Sequence, residues 1–169
     1  LDEALLHDVD IVTASALFDL CSADFCSRFM ERLAGKKIGL YAALNYDGVM
    51  EWTIKHPLDV RVAEDFNQHQ RTDKGFGAAL GPDATAHFSE ICTAAGFAVE
   101  LSDSPWRLGA SHAQLQREFL AGLGKPIREI GNIPESSFKE WLDFRQSNIG
   151  VEGSICIVGH TDFLALPEV

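Results

Sequence analysis

The chain has 169 residues, 46% of them hydrophobic, and a formal net charge of −11 because 25 acidic residues outnumber 14 basic ones. This length and composition are typical of one soluble domain with a core of ordinary size. The negative charge repels phosphate backbones, which excludes nucleic acid as an expected partner. No apolar run approaches the roughly 20 residues that a membrane-spanning helix needs, and no signal-peptide pattern opens the sequence. We therefore expect a cytoplasmic protein that does not contact membranes.

Two short apolar runs predict neighbouring parallel strands. The first lies within residues 10–20 (Asp-Ile-Val-Thr-Ala-Ser-Ala-Leu-Phe-Asp-Leu), and the second within residues 37–45 (Lys-Ile-Gly-Leu-Tyr-Ala-Ala-Leu-Asn). Both runs are continuous and bounded by polar or turn residues, which is the pattern of strands buried on both faces. Ligands of open α/β sheets bind beyond the carboxyl ends of the strands. We therefore expect a site formed by residues 15–19 and 45–47.

A helix is predicted between these strands, with Ser22 as its N-cap and Gly35 as its end. The side that should pack on the sheet carries Phe25, Phe29, Met30 and Leu33. The dipeptide Asp47-Gly48 predicts a hairpin-like turn after the second strand. Later in the chain, helices are predicted at residues 59–69, 82–95, 111–123 and 134–146, and strands at residues 97–101 and 154–158, the last extending toward residue 166.

A glycine-rich segment, Gly75-Phe-Gly77-Ala-Ala-Leu-Gly81, has the spacing of a nucleotide-binding turn. It follows a polar stretch instead of an apolar strand, so its glycines are not expected to place a helix N-terminus against a pyrophosphate. A lid or substrate loop is favoured over dinucleotide binding, with Arg71 and Lys74 holding a carboxylate or phosphate of the substrate. An ordinary surface loop remains the alternative.

The cysteines form no metal-binding pattern, because no C-x-x-C pair and no histidine at zinc-like spacing accompany them. We expect reduced, mostly buried thiols and no metal site. The cysteines in question are Cys21, Cys26, Cys92 and Cys156.

Two further polar segments follow the strand ends: residues 67–77 (Asn-Gln-His-Gln-Arg-Thr-Asp-Lys-Gly-Phe-Gly) and residues 103–109 (Asp-Ser-Pro-Trp-Arg-Leu-Gly). Together with the strand ends, they resemble bacterial class I S-adenosylmethionine-dependent methyltransferases of a small-molecule-type branch. The resemblance implies a Rossmann-like α/β sheet with flanking helices, strand order 3-2-1-4-5-7-6 and an antiparallel seventh strand. It covers nearly the whole chain, but only the strands 4-5-7-6 of that fold.

The family's first three strands are absent from this sequence, and with them its glycine-rich cofactor loop and its acidic ribose-binding residue. The chain opens at Leu1, shortly before what would be the fourth strand. We therefore expect residues 1–169 to be the C-terminal portion of a single methyltransferase domain, as a fragment, a processed product or a separate half.

The resemblance implies S-adenosyl-L-methionine as cofactor and assigns site residues at the strand ends. Methyl transfer needs an aligned acceptor and sometimes a base, so Asp19 or Asp47 is expected to take a proton and Tyr46 to present its ring to the sulfonium. Asp19 could instead complement the positive end of the following helix, and Trp106 could simply pack under a loop. The implied catalytic residues are Asp19, Asn45, Tyr46 and Asp47. The implied cofactor-binding residues are Thr13, Ala14, Ser15 and Ala16. The implied substrate-binding residues are Trp52, Arg71, Lys74, Trp106 and Arg107.

Three functions remain open from the sequence. The first is methyl transfer to a small molecule, and the second is a non-catalytic or truncated half-domain that does not bind cofactor alone. The third, a hydrolase, is disfavoured because no G-x-S-x-G elbow is present. The apolar run of the first strand, Ile11, Val12, Ala14, Ala16 and Leu17, has no charged residue within it that would deter edge-to-edge pairing. A homodimer, or pairing with a separate N-terminal half, is therefore expected.

Overall fold

The computed structural model describes residues 3–168, which form an α/β protein with a mixed sheet and flanking helices. The predicted α/β class is thereby confirmed. The strands are β1 (Ile11–Ser15), β2 (Gly39–Trp52), β3 (Phe97–Asp103), β4 (Trp106–Leu108) and β5 (Cys156–Pro167). The α-helices are α1 (Ala23–Lys36), α2 (Asp59–Gln70), α3 (Ala84–Ala94), α4 (Ala113–Ile130) and α5 (Glu135–Ser147).

The chain divides into two compact units. The first contains the residues up to Asp47, the stretch Gln70–Ser104 and the residues from His160 onward, and the second contains Gly48–His69 and Pro105–Gly159. Strands β2 and β5 each have residues in both units. The prediction that the chain is one domain stays a prediction.

The strands of the first unit follow the order β1-β2-β5-β3. β1 pairs in parallel with β2, whereas β5 is antiparallel to β3. β2 and β5 also run in opposite directions, because Gly39 lies against Leu166 while Asn45 bonds to the carbonyl of Thr161. The last strand in sequence therefore lies between the second and the third strands of the chain.

β1 is a partly exposed strand at the edge of the first unit. Within residues 3–168 it pairs only with β2. Ile11, Thr13 and Ser15 are exposed, whereas Val12 and Ala14 are half-buried against the core. The prediction of a strand buried on both faces is wrong, because no described element covers the second face.

β2 continues where the sequence predicts a hairpin-like turn. The strand passes through Asp47 and Gly48 and ends at Trp52. Gly48 has a φ of +92°, so it supplies a local kink inside one strand instead of a turn between two strands. The hairpin prediction is therefore wrong.

α1 begins as predicted, since the Ser22 hydroxyl accepts a hydrogen bond from the Phe25 N–H at 3.2 Å. The helix continues past Gly35, and Lys37 takes the left-handed C-cap position with a φ of +55°. The predicted end of this helix is therefore too early. α4 likewise extends beyond its predicted end to Ile130, and the three-residue strand β4 was too short to give a periodic signal.

The core of the first unit is formed by one face of α1, one face of α3 and the strands beneath them. Phe29, Met30 and Leu33 of α1 are buried, as predicted for that face. Burial of such side chains is the main favourable term in folding, at about 1.5–3 kcal/mol for each large apolar group. The other buried members of this core include Phe18, Ile38, Leu40, Phe88, Phe97 and Phe163.

The second unit is organised around a buried ion pair. Arg145 of α5 donates to the Asp59 carboxylate and to the carbonyl of Ile54. The same carboxylate accepts the indole N–H of Trp141 at 2.9 Å. The Arg145 guanidinium also lies 4.6 Å from the ring centroid of Trp52, which joins α2, α5 and β2 in one network.

Candidate active site at the ends of two parallel strands

The parallel strands β1 and β2 both become irregular directly after their last paired residues. Their pairing ends at Ser15 and Ala43, and the N–H of the next residue, Ala16, donates to the Ala43 carbonyl at 3.0 Å. Ala16 has a φ of +50° and Leu44 a φ of +56°, both in the left-handed region. Such backbone conformations are uncommon for residues with a Cβ and are often found at functional sites.

The predicted cofactor-binding residues lie at this end of β1. Thr13, Ser15 and Ala16 are exposed, and Ala14 is half-buried. They offer an open surface with two hydroxyl groups. Their contact with a cofactor stays a prediction.

Asp19 follows β1 on the short 3-10 helix Phe18–Leu20. It is 6% exposed, and its Oδ1 atom is buried without a hydrogen-bond partner among the residues that the structure describes. Burial raises the pKa of this carboxyl above its ordinary value, against an opposing backbone hydrogen bond. A carboxylate with a raised pKa is a better base near neutral pH than an exposed one. Asp19 makes no side-chain cap on α1, since Ser22 fills that position.

Asn45 and Tyr46 are adjacent in β2, and both are buried. The Asn45 amide donates to the carbonyls of Ala42 and Thr161, both at 3.1 Å, while its Oδ1 has no partner in the described part of the chain. The Tyr46 ring centroid lies 6.4 Å from that of His160 in an edge-to-face arrangement.

Tyr46 is held in its neutral form. Burial is the largest cause that raises the pKa of its hydroxyl, the Asp47 carboxylate adds to it, and Arg71 opposes it. Tyr46 therefore offers a neutral ring and hydroxyl instead of a base. Asp47 itself is half-buried. Its role as a proton acceptor stays a prediction.

A narrow cavity adjoins Asn45 and contributes a residue that the sequence did not suggest. Thr85, in the first turn of α3, lines it, and its hydroxyl is buried without a partner within residues 3–168. An unsatisfied buried polar group costs about 1–3 kcal/mol, so the Asn45 and Thr85 oxygens beside this cavity each call for an explanation. No local pattern distinguishes Thr85 from any other helical threonine. The remaining lining residues are Phe18, Ala42, Ala84, Phe88 and Phe163.

The glycine-rich loop closes on itself. The Asp73 carboxylate accepts hydrogen bonds from the N–H groups of Gly75 at 2.7 Å and Gly77 at 3.1 Å. Arg71 pairs with Asp83 at 2.9 Å, and the Lys74 ammonium donates to the Thr72 hydroxyl. This geometry is that of a locally closed surface loop, and substrate binding by Arg71 and Lys74 stays a prediction.

The other predicted substrate-binding residues belong to the second unit. Trp52 is 4% exposed and packs edge-to-face on Trp141 at 5.4 Å, so it is a core residue of that unit. Trp106 lies in strand β4 opposite Val158 and is half-buried. Arg107 is exposed. Contact of these side chains with an acceptor is untested.

The cysteines are not placed for nucleophilic chemistry. All four are buried, as the sequence predicts, and none forms a disulfide within the described range. Burial raises the pKa of Cys21 to about 11 and those of Cys26, Cys92 and Cys156 to about 12, so the thiols stay neutral. Among residues 3–168 no group of three or more histidine, cysteine or acidic side chains is arranged to hold a metal. No helix there has the length and apolar character of a bilayer-spanning segment.

The chain has a weak structural likeness to a known protein. No family model matches the chain, and no curated protein matches it. Among solved structures, the cyclopropane synthase MmaA2 from Mycobacterium tuberculosis is similar, with a TM-score of 0.40 and 13% sequence identity. The match covers 94% of this chain and 55% of that one, so the chain spans about half of the neighbour's length. A likeness at this level does not assign a function.

Proposed function

We propose that this chain is the C-terminal part of an S-adenosylmethionine-dependent methyltransferase domain that acts on a small molecule. The strand order β1-β2-β5-β3 carries the proposal. β1 and β2 are parallel, and β5 is antiparallel between β2 and β3, which is the order and direction that the resemblance implies for strands 4-5-7-6. An antiparallel last strand inserted before the sheet edge is an uncommon arrangement, because consecutive strands usually neighbour one another.

The residues at the ends of β1 and β2 are suited to bind part of S-adenosylmethionine. The unpartnered, buried oxygen of Asp19 suits a cation or a hydrogen-bond donor, and the Tyr46 ring suits a cation against its face. The exposed hydroxyls of Thr13 and Ser15 suit a polar ligand. No acidic residue that would bind ribose hydroxyls is proposed in this chain, since the family places it after a strand that precedes β1.

Each residue then has a role that follows from its environment. The cofactor's sulfonium, when bound, supplies an activated methyl group. Asp19 is the proposed proton acceptor for the substrate, because its pKa is raised by burial. Asn45, with one free carbonyl oxygen, orients the acceptor, and the buried surroundings of Asn45 and Tyr46 exclude water.

Transfer of labelled methyl groups tests this function. The intact encoded protein would be incubated with methyl-labelled S-adenosylmethionine and a low-molecular-weight extract from its own source, and the small-molecule fraction would be analysed for label. We expect label to appear in that fraction and to be lost with the variant Asp19→Asn. Absence of transfer by a folded, cofactor-binding protein would contradict the proposal.

The exposed edge of β1 favours a second candidate function. A half-domain that binds no cofactor by itself would still need to cover the unpaired amides of this strand. In that case β1 pairs with a separate N-terminal half or with a second copy of the chain.

A further inference from the structure

β2 contains a kink at Leu44 that local sequence does not explain. Its φ of +56° lies in the left-handed region, which is unfavourable for a residue with a Cβ. The kink directly follows Ala43, the last residue of β2 that pairs with β1. An interaction from elsewhere in the chain must therefore stabilise it.

Asp162 of β5 provides that interaction. Its Oδ1 accepts hydrogen bonds from the Leu44 N–H at 2.9 Å and from the Ser104 hydroxyl at 2.6 Å. Its Oδ2 accepts one from the Tyr41 hydroxyl at 2.7 Å. In a regular ladder a strand N–H donates to a backbone carbonyl of the neighbouring strand, whereas here a side-chain carboxylate is the acceptor.

These hydrogen bonds also keep the carboxylate charged. Burial raises the pKa of Asp162, but the hydrogen bonds from Ser104, the Leu44 N–H and Tyr41 outweigh it, so the pKa lies below its ordinary value. A charged acceptor makes the stronger hydrogen bond to an N–H.

The kink directly precedes two buried side chains. The adjacent residues Asn45 and Tyr46 are 2% and 6% exposed. Irregularities such as β-bulges re-aim side chains near active sites.

We propose that Asp162 is a positioning residue of the methyl-transfer site: its carboxylate holds the Leu44 kink and so sets the backbone that carries Asn45 and Tyr46. This role rests on the proposed function, because it concerns two of the residues assigned to that site. Without an acceptor at position 162, the Leu44 N–H loses its partner and the backbone at residues 44–46 changes its conformation. The Asn45 and Tyr46 side chains then leave their positions in the site.

Hydrogen exchange tests the structural half of this proposal without any activity. In the intact encoded protein, Asp162→Ala should speed amide exchange at residues 44–46 by about tenfold or more relative to the core of α1. Ser104→Ala is the matched control, since it removes another partner of the same carboxylate but leaves the acceptor of Leu44. Unchanged exchange at residues 44–46 in Asp162→Ala would overturn the proposal.

Kinetics test the catalytic half. Asp162→Ala should lower kcat by about a hundredfold, the scale of a misplaced site, with the KM for cofactor within about twofold. Asp162→Asn, whose amide oxygen can still accept from the Leu44 N–H, should retain most of the activity. Adding Leu44→Gly to Asp162→Ala should recover part of kcat, because glycine adopts a positive φ without cost.

A fall in kcat no larger than that of Ser104→Ala would overturn the positioning role. If the unsubstituted protein transfers no methyl group, the proposed function fails, and with it the catalytic meaning of Asp162. The exchange result would then still decide whether Asp162 holds the kink, so the two failures can be told apart.

Discussion

The buried carboxylate of Asp19 lowers the stability of the folded protein but is needed for the proposed activity. Its carboxyl is buried with one unpartnered oxygen, and burial raises its pKa above the ordinary value of 3.8. The folded chain therefore binds this proton more tightly than the unfolded chain does. The resulting penalty on stability is absent below the unfolded pKa, grows as pH rises toward the folded pKa, and is constant above it.

Replacing this carboxyl by an amide should therefore raise the stability of the protein and lower its methyl-transfer activity. We expect Asp19→Asn to melt at a higher temperature than the unsubstituted protein at about pH 7.5, with the difference vanishing as pH falls toward the unfolded pKa. Methyl transfer should fall by about a hundredfold or more, the usual effect of losing a general base. Thermal melts across the pH range check the first part, and a lower melting temperature at neutral pH would contradict it.

Asp59, unlike Asp19, is a buried carboxylate whose two oxygens both accept hydrogen bonds. It accepts hydrogen bonds from Arg145, from the Trp141 indole and from the His56 N–H. We expect Asp59→Ala to reduce the free energy of unfolding by about 3–5 kcal/mol, because it leaves the Arg145 charge buried without its counter-ion. Urea unfolding measures this change.

The matched control for Asp59 is the exposed pair Lys139–Asp143 on the surface of α5. Lys139→Ala should leave the urea midpoint unchanged, since exposed pairs contribute little. Equal effects of the two substitutions would show that the Asp59–Arg145 network is not a stabilising element of the second unit.

At the scale of elements, β1 has one edge that no described element covers. Ile11 of this strand is 44% exposed, and no charged side chain within the strand deters pairing with another strand. We expect the 169-residue chain by itself to form dimers or larger species as its concentration rises. Light scattering over a concentration series measures this, and a stable monomer at high concentration would show that the edge is protected within the chain.

Elements governed by local signals could be predicted from the sequence. The Ser22 cap and the apolar spacing of α1 are encoded within one helix, and α2 likewise begins at Asp59 as its pattern predicts. The exposure of β1 could not be predicted, because burial of a strand depends on what lies beside it. The kink at Leu44 was equally hidden, since its acceptor, Asp162, is 118 residues away.

The same distinction applies to the candidate site. Asp19, Asn45 and Tyr46 were suggested because they follow apolar strands, and the structure buries all three in the first unit. Thr85 and Asp162 could not be predicted, because the cavity beside Thr85 and the hydrogen bonds of Asp162 form only on folding. The burial of Trp52, which stays a predicted substrate-binding residue, depends on Trp141 and Arg145, which are far along the chain.

At the scale of the whole molecule, the proposal makes this chain one part of a cofactor site. The strand ends of the first unit supply groups suited to the reacting end of the cofactor, whereas the family binds adenosine and ribose mostly through strands that would precede β1. The acidic character of the chain, with a net charge of −11, is consistent with a small-molecule acceptor and with a cationic cofactor.

Calorimetric titration with S-adenosylmethionine tests this central claim most directly. It would be carried out on the encoded protein that includes the strands placed before β1 and, in parallel, on the 169-residue chain. We predict a dissociation constant of about 1–100 µM for the former, in the range usual for metabolic ligands, and weak or undetectable binding for the latter. Tight binding by the 169-residue chain alone, or no binding by the longer protein, would contradict the account.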